Sequence, residues 1–369
     1  MPSFDVQVAG SGIVGKTLAL SLARLGLSVA LRGAPAGSDG REDVRAYALS
    51  PGSVELLRGL RVWEALPADA RTPVHDMLVH GDAAGAALEF SAWEQRVGEL
   101  AVITDAAALE RELDAALRFA PHVTRVDADV AATLVAHCEG RAAADLKSLG
   151  AGIAVESYGQ KAIAARLVAS RPHAHVARQW FRSPDVLALL PFDRPEPRRS
   201  YALVWSLPAE RADALLALEP AAFEAELALA AGGEAGELRL ASERAAWPLA
   251  VGGAATWCGP GWVVVGDAAH VVHPLAGQGL NLGLGDVAAL VSVIAEREPW
   301  RRLGDERLLR RYVRLRAAPT SAMLRITDGL LRLFSEDKAP IRELRNNGLS
   351  LVNRISPLKR WLTARALDS

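Results

Sequence analysis

Cysteine is almost missing from this chain: Cys138 and Cys258 are the two in 369 residues. That excludes a disulfide framework and a four-thiolate zinc site. The two also lack CxxC spacing, so they read as small buried hydrophobes in a reducing compartment. An excess of one charge is lacking too. Lys plus Arg number 42 and Asp plus Glu 43, a net charge of −1. This excludes the basic surface that bulk nucleic-acid binding needs, and no nucleic-acid partner is expected. No run of about 18 uncharged apolar residues marks a membrane span. Arg24 and Arg32 interrupt the first candidate, and Gly and Pro break up the one around Trp257. No basic start followed by an apolar core marks a signal peptide, so a cytoplasmic location is expected. His270 and His273 have no evident third ligand, and no metal is expected. No internal repeat, no catalytic carboxylate pair and no Ser/His/Asp order is found.

What is present is a globular composition, 50% hydrophobic and 23% charged, with a length that suggests roughly two domains. The charge is uneven along the chain. Residues 301–369 hold 16 Lys/Arg against 7 Asp/Glu, a charge of +9, and residues 1–300 carry −10. The basic end is either a solvated face on C-terminal helices or a contact for an anionic surface such as phospholipid head groups.

The first 31 residues carry the clearest local pattern. Phe4 to Ala9 alternates and is rich in Val, which predicts a strand. GSGIVG follows, then an apolar pattern of helical spacing that stops at Gly26, then a second strand over residues 28–31. In such a β-α-β unit Gly10 permits the tight turn and Gly12 lets backbone approach a diphosphate. Gly15 allows close helix–strand packing. The diphosphate would sit at the positive helix N-terminus. An acid usually ends the second strand and binds ribose hydroxyls. Here that place reads Leu31-Arg32-Gly33, and Asp39 or Glu42 is the available substitute from the next loop.

Further on, residues 43–66 and 209–231 read as helical, 106–119 as an amphipathic helix and 122–137 as a small hairpin or sheet arm. Residues 151–207 read as a β-sheet, and the chain from about Asp305 as helical with pauses at Pro319, Pro340 and Pro357. The string GDAAHVVHPLAGQGLNLGLGD spans residues 266–286 and follows the apolar strand WVVV. Asp267, at that strand's carboxyl end, either accepts hydrogen bonds from ribityl or ribose hydroxyls or caps a turn. Gly277, Gly279, Gly283 and Gly285 let backbone pack against a flat ring. Backbone N–H groups at the next helix start would stabilise negative charge on a reduced flavin.

These strings resemble the class A flavin-dependent aromatic hydroxylases, which have the p-hydroxybenzoate hydroxylase-like fold. Within that class they resemble the ubiquinone-biosynthesis hydroxylases, which act on polyprenyl phenols. The resemblance covers nearly the whole chain. It runs from FDVQVAGSGIVGKTLALSLARLG through VRAYALSPGSVELL, YGQKAIAARL, PHAHVARQWF and LALLPF to the GDAAH string. ITDGLLRLFS and LRNNGLSLVNRISPLKRWL point to the ubiquinone branch.

The resemblance implies an α/β fold with three parts. They are a Rossmann-like FAD domain of ββα three-layer type (1–73, 97–157 and 245–300), an inserted β-sheet substrate domain (74–96 and 158–244) and a C-terminal helical region (301–369). It implies FAD as cofactor, NADPH or NADH as electron donor, and O₂ as co-substrate. The reaction would be hydroxylation of a phenol through a flavin C4a-hydroperoxide.

By the same resemblance Gly10, Gly12, Ile13, Val14 and Gly15 would hold the FAD diphosphate, with Arg45 reaching that region or the nicotinamide. Arg45 is otherwise a surface partner of Glu42 or Asp43. Gly266 and Asp267 would bind the ribityl chain. Pro274 and Gly279 would line the reactive flavin edge, and Gly277, Gly279, Leu280 and Asn281 would present backbone to the ring. Asn281 is otherwise a helix cap. Three positions depart from the family pattern and bear on FAD retention and NAD(P)H use. Gly33 stands for the ribose acid, Ala107 for an Arg aimed at the phosphates, and Glu139-Gly140 for an Asp-Gly pair.

Trp180, Phe181, Leu189, Leu190 and Trp205 are candidates for the wall of a prenylated substrate's pocket. Such a substrate lives in a membrane, so peripheral contact through the basic C-terminal helices is expected. Leu358, Trp361 and Leu362 lie among Lys359, Arg360 and Arg365 there. Other ubiquinone-biosynthesis proteins are candidate partners. Two alternatives stay open: a hydroxylase of a soluble aromatic compound, and a non-catalytic scaffold with weakened FAD binding.

Overall fold

A computed structural model describes residues 3–33, 43–81, 87–140, 149–182, 184–272 and 278–335. The N-terminal pattern folds as its periodicities require. Strand β1 (Phe4–Ala9) pairs in parallel with β2 (Val29–Arg32), Val6 opposite Val29, and helix α1 (Ile13–Arg24) makes the crossover. Residues 122–137 do not form the expected hairpin. They give β8 (Val123–Val126), which pairs with β2, and β9 (Ala132–His137), which pairs with β1, both in parallel. A short polar connection looks like a hairpin turn locally; the partners that overrule it lie about a hundred residues away in the chain. With β16 (Cys258–Gly259) and β17 (Trp262–Val264) the sheet has six strands, ordered β16-β17-β9-β1-β2-β8. Its carboxyl ends, Ala9, Arg32, His137 and Val264, meet on one edge.

A three-stranded sheet, β3 (Ala46–Leu49), β7 (Ala101–Asp105) and β4 (Arg71–Val74), stands beside it. The expected helix over 43–66 is thus shortened to α2 (Pro51–Gly59), with Pro at its first position and Ser50 as N-cap. Helix α3 (Ala92–Gln95) is a single turn, and α4 (Ala106–Arg118) is capped by Asp105, whose Oδ1 accepts from Ala108 N at 2.7 Å.

The largest sheet has nine strands: β5 (Asp76–His80), β6 (Ala87–Ser91), β10 (Ile153–Ala169), β11 (Val176–Arg182), β12 (Asp185–Phe192), β13 (Ser200–Pro208), β14 (Leu238–Leu240), β15 (Ala245–Ala254) and β18 (His270–Val271). Strand alternation gives it two faces. Ile163, Leu187, Leu189, Leu203 and Trp205 on one face pack against Leu215, Phe223 and Leu227 of α5 (Ala209–Ala217) and α6 (Pro220–Ala231). Ala177 and Phe192 on the other pack against Ala48 and Ile103 of the small sheet.

The described residues end in α7 (Gln278–Ala295) and α8 (Glu306–Ser335), and α8 continues through Pro319 instead of pausing there. Pro340 and Pro357 lie outside the described residues. Leu308, Leu309 and Tyr312 of α8 are fully buried in the same cluster as Val6, Leu22 and Leu290. Among the described residues no helix is long and apolar enough to cross a membrane.

Candidate functional site

The glycine turn after β1 is fixed by two close approaches. A Cβ on Gly10 would stand 2.4 Å from the Cys138 carbonyl oxygen, and one on Gly15 would stand 1.9 Å from that of Gly10. Gly12 is different: a Cβ there would meet nothing within 4 Å. Packing inside the protein does not demand glycine at Gly12, and the open space lies at the α1 N-terminus. That helix start has neither a side-chain cap nor an acidic residue in its first turn. Its N–H groups are therefore left for an anion, and the dipole favours one. The nearby Lys16 is not that anion's partner. It is fully buried and reaches Asp114 at 2.9 Å and Glu110 at 3.4 Å, which ties α1 to α4.

The second glycine string packs directly on the first. Val14 of α1 sits between Gly266 and Gly283; a Cβ on Gly283 would come within 2.8 Å of it. This close contact brings the Gly266–Ala268 turn and the α7 N-terminus beside the α1 N-terminus. Asp267 is exposed between buried Gly266 and Ala268, and a Cβ on Gly279 would lie 4.0 Å from its Oδ1. The carboxylate thus stands at the α7 start. Gly277 and Pro274 fall outside the described residues.

Asn281 is neither a helix cap nor a free side chain. Its Oδ1 accepts from Ser50 N at 2.9 Å and Ser53 Oγ at 2.8 Å, and its Nδ2 donates to Ala48 O at 2.8 Å. It fastens α7 to β3 and α2, and Leu280 packs against the main core beside it.

Arg45 pairs with Asp43, Nε–Oδ1 at 2.8 Å and Nη2–Oδ2 at 2.6 Å, with its guanidinium near the Trp247 and Tyr47 rings. Burial pushes the Tyr47 phenol up to about 12, so it is a neutral hydroxyl at ordinary pH. A buried cation that motif reading missed ties these elements together. Arg166 on β10 donates to Arg45 O at 2.7 Å and Asp105 Oδ2 at 3.1 Å and lies over the Phe192 ring. Ala107, in the first turn of α4, offers only a methyl where the family pattern has an Arg.

A buried polar knot sits behind Asp267. Asp286 accepts from Gly266 N at 3.0 Å and Arg316 Nε at 2.8 Å, and its Oδ2 lies 2.6 Å from His270 Nε2. This fixes His270 as a structural side chain on the described face; His273 lies outside the described residues. Arg316 has no motif around it, and only the long-range contact reveals it. Burial pushes both cysteine thiols up, which keeps them protonated and unreactive.

The expected substrate wall divides by strand parity. Trp180, Leu189 and Trp205 belong to the core under α5 and α6, where Trp180 and Trp205 also line a cavity with Leu187, Leu229 and Ala230. Phe181 and Leu190 point to the other face. A one-residue step in a strand reverses the face, and composition alone does not reveal which parity looks inward.

Residues 90–327 match the family described as an FAD binding domain. The chain is 33% identical to a ubiquinone hydroxylase, UbiL, of Rhodospirillum rubrum, over 99% of this chain and 90% of that protein. It is 30% identical to a 3-demethoxyubiquinol 3-hydroxylase of Escherichia coli, over 98% of both. Its backbone superposes on the p-nitrophenol 4-monooxygenase PnpA of Pseudomonas putida with a TM-score of 0.75 and 15% identity, over 100% of this chain and 99% of that one.

Proposed function

The chain belongs to the FAD-binding family of flavin-dependent hydroxylases, and from that membership we propose that it hydroxylates the ring of a polyprenyl phenol in ubiquinone biosynthesis. One observation supports the cofactor part: the α1 start at Gly12, the Gly266–Ala268 turn with Asp267, and α7 pack directly on one another through Val14. The ubiquinone relatives, matched over nearly the full chain, carry the substrate part.

The residues present fit FAD. The Gly12, Ile13 and Val14 backbone would hold the diphosphate, and Asp267 the ribityl hydroxyls. The Gly279–Asn281 backbone would face the flavin ring; Pro274 and Gly277, which the resemblance assigns there, lie outside the described residues. Bound FAD supplies electron transfer from a nicotinamide donor and activation of O₂. The chain's own task is to orient the phenol and to keep water out. Phe181, Leu190 and the other residues on that face of the nine-stranded sheet would form the roof, and Arg166 ties β10 to the Arg45 carbonyl and to Asp105 at the end of β7. Tyr47, kept neutral by burial, is a hydrogen-bond donor and not a base.

The test is a purified protein given excess FAD, then NADH or NADPH and a short-chain prenylated phenol. A flavin spectrum and a product heavier by one oxygen are expected. Hydroxylation only of small soluble phenols would move the assignment to that substrate class. A protein that stays colourless would support the scaffold reading, which Gly33 and Ala107 favour. We also propose peripheral contact with an anionic membrane through the basic C-terminal region; the substrate class and the charge asymmetry support it.

A further inference from the structure

The second strand of a dinucleotide-type unit normally ends in a carboxylate that takes ribose hydroxyls. Here β2 ends in Arg32, a charge of the opposite sign, followed by Gly33. Gly33 has φ +148°, and a Cβ there would meet Ser11 Oγ at 2.5 Å and Ser11 N at 2.9 Å. A longer acid has no room at Gly33 without moving the glycine turn itself.

A carboxylate nevertheless reaches this place from another strand. Glu139 follows β9, and β9 and β2 flank β1 on its two sides. Its Oε1 accepts from Arg32 Nη2 at 2.5 Å, while its Oε2 lies 3.1 Å from His137 Nδ1. The side chain therefore spans the carboxyl end of β1, in front of the turn at Gly10. Gly10 packs so closely on Cys138 and Glu139 that a Cβ would stand 2.8 Å from Glu139 N. Arg32 is held in turn by Asp129 at 3.2 Å.

We propose that Glu139, positioned by Arg32, accepts the adenosine-ribose hydroxyls of the bound dinucleotide in place of the missing strand-end acid. The inference rests on the FAD reading above. Each carboxylate oxygen has a second lone pair after its present bond, so hydroxyl donors can be added without breaking the pair. Arg32 also neutralises a carboxylate that would otherwise repel the neighbouring diphosphate. Arg32 is a positioning residue here, and Glu139 makes the contact.

The test uses binding to the flavin-free full chain, read by displacement of FAD fluorescence quenching. Wild type is expected to bind ADP about tenfold or more tighter than 2′,3′-dideoxy-ADP, as a charged hydrogen bond implies. Glu139→Ala should lose that discrimination and bind FAD about tenfold more weakly, while FMN, which lacks the adenosine, keeps its affinity. Wild-type protein that does not distinguish the two nucleotides overturns the proposal, with no variant needed. So does a Glu139→Ala chain that weakens FAD and FMN equally. A wild-type chain that binds no FAD at all overturns the cofactor reading instead.

Discussion

At the residue scale the site separates side chains that would hold a ligand from side chains that hold the site. Asp267 is exposed and Asn281 is 2% exposed with three bonds to β3 and α2. Asp267→Ala is expected to cost about tenfold to a hundredfold in FAD affinity, the worth of a charged hydrogen bond. The flavin-free melting temperature should change little. Asn281→Ala should do the reverse first. It leaves the Ser50 N–H and the Ala48 carbonyl buried without their partner, at about 1–3 kcal/mol each. Its flavin-free protein should melt earlier, with flavin loss as a consequence. Melting curves with and without FAD check both. Equal melting shifts in the two variants would show that this division of roles is wrong.

Much of that division was legible in the sequence, and some was not. The Gly10, Gly12 and Gly15 spacing announces the turn because each glycine answers a local geometric demand. Arg45 was open between a phosphate and an acidic neighbour, and the structure places it on Asp43. Asn281 was read as ring-facing backbone or a cap, yet its side chain makes contacts more than 220 residues away in the chain. Arg32 looked like a mere gap in a pattern. Its partners Glu139 and Asp129 flank β9, and the reading of 122–137 as a small hairpin or sheet arm does not bring β9 beside β1. Spacing rules see one element at a time, and these residues work between elements.

At the scale of elements, Asp286 is the joint of α7, α8 and the Gly266 turn. Burial alone would raise its carboxyl, but His270 and Arg316 outweigh that and hold it below its ordinary value. A depressed carboxylate stabilises the fold above its unfolded value, near 3.8, and the benefit is lost as pH falls through the lower folded value. Wild type should therefore melt well above Asp286→Asn at pH 7, and the gap should narrow below about pH 4. A gap independent of pH would refute the ionised pair. Arg316→Met should cost about 3–5 kcal/mol, because it leaves a buried carboxylate without its permanent cation. The Gly266 backbone would shift with it, so flavin affinity should fall in the same variant.

At the scale of the whole molecule, the net charge of −1 averages an acidic body against a basic end. The described helix α8 alone carries seven Arg against Glu306 and Asp328. Part of that charge is already used: Arg310 pairs with Glu306, Arg311 with Glu298, and Arg316 with Asp286. A truncation before α8 would also remove Leu308, Leu309 and Tyr312 from the core, so it would test folding and not the membrane. Ending the chain at Ser335 is the informative cut. It keeps every one of those contacts and removes residues 336–369, with Leu358, Lys359, Arg360, Trp361 and Leu362. The shortened chain should retain its melting temperature and its flavin spectrum. The full chain should co-sediment with phosphatidylglycerol vesicles, weakly with phosphatidylcholine, and less as salt rises. The shortened chain should lose most of that binding. Equal sedimentation of the two would remove the last 34 residues as the contact and leave the exposed arginines of α8, whose substitution by Gln would then have to abolish it.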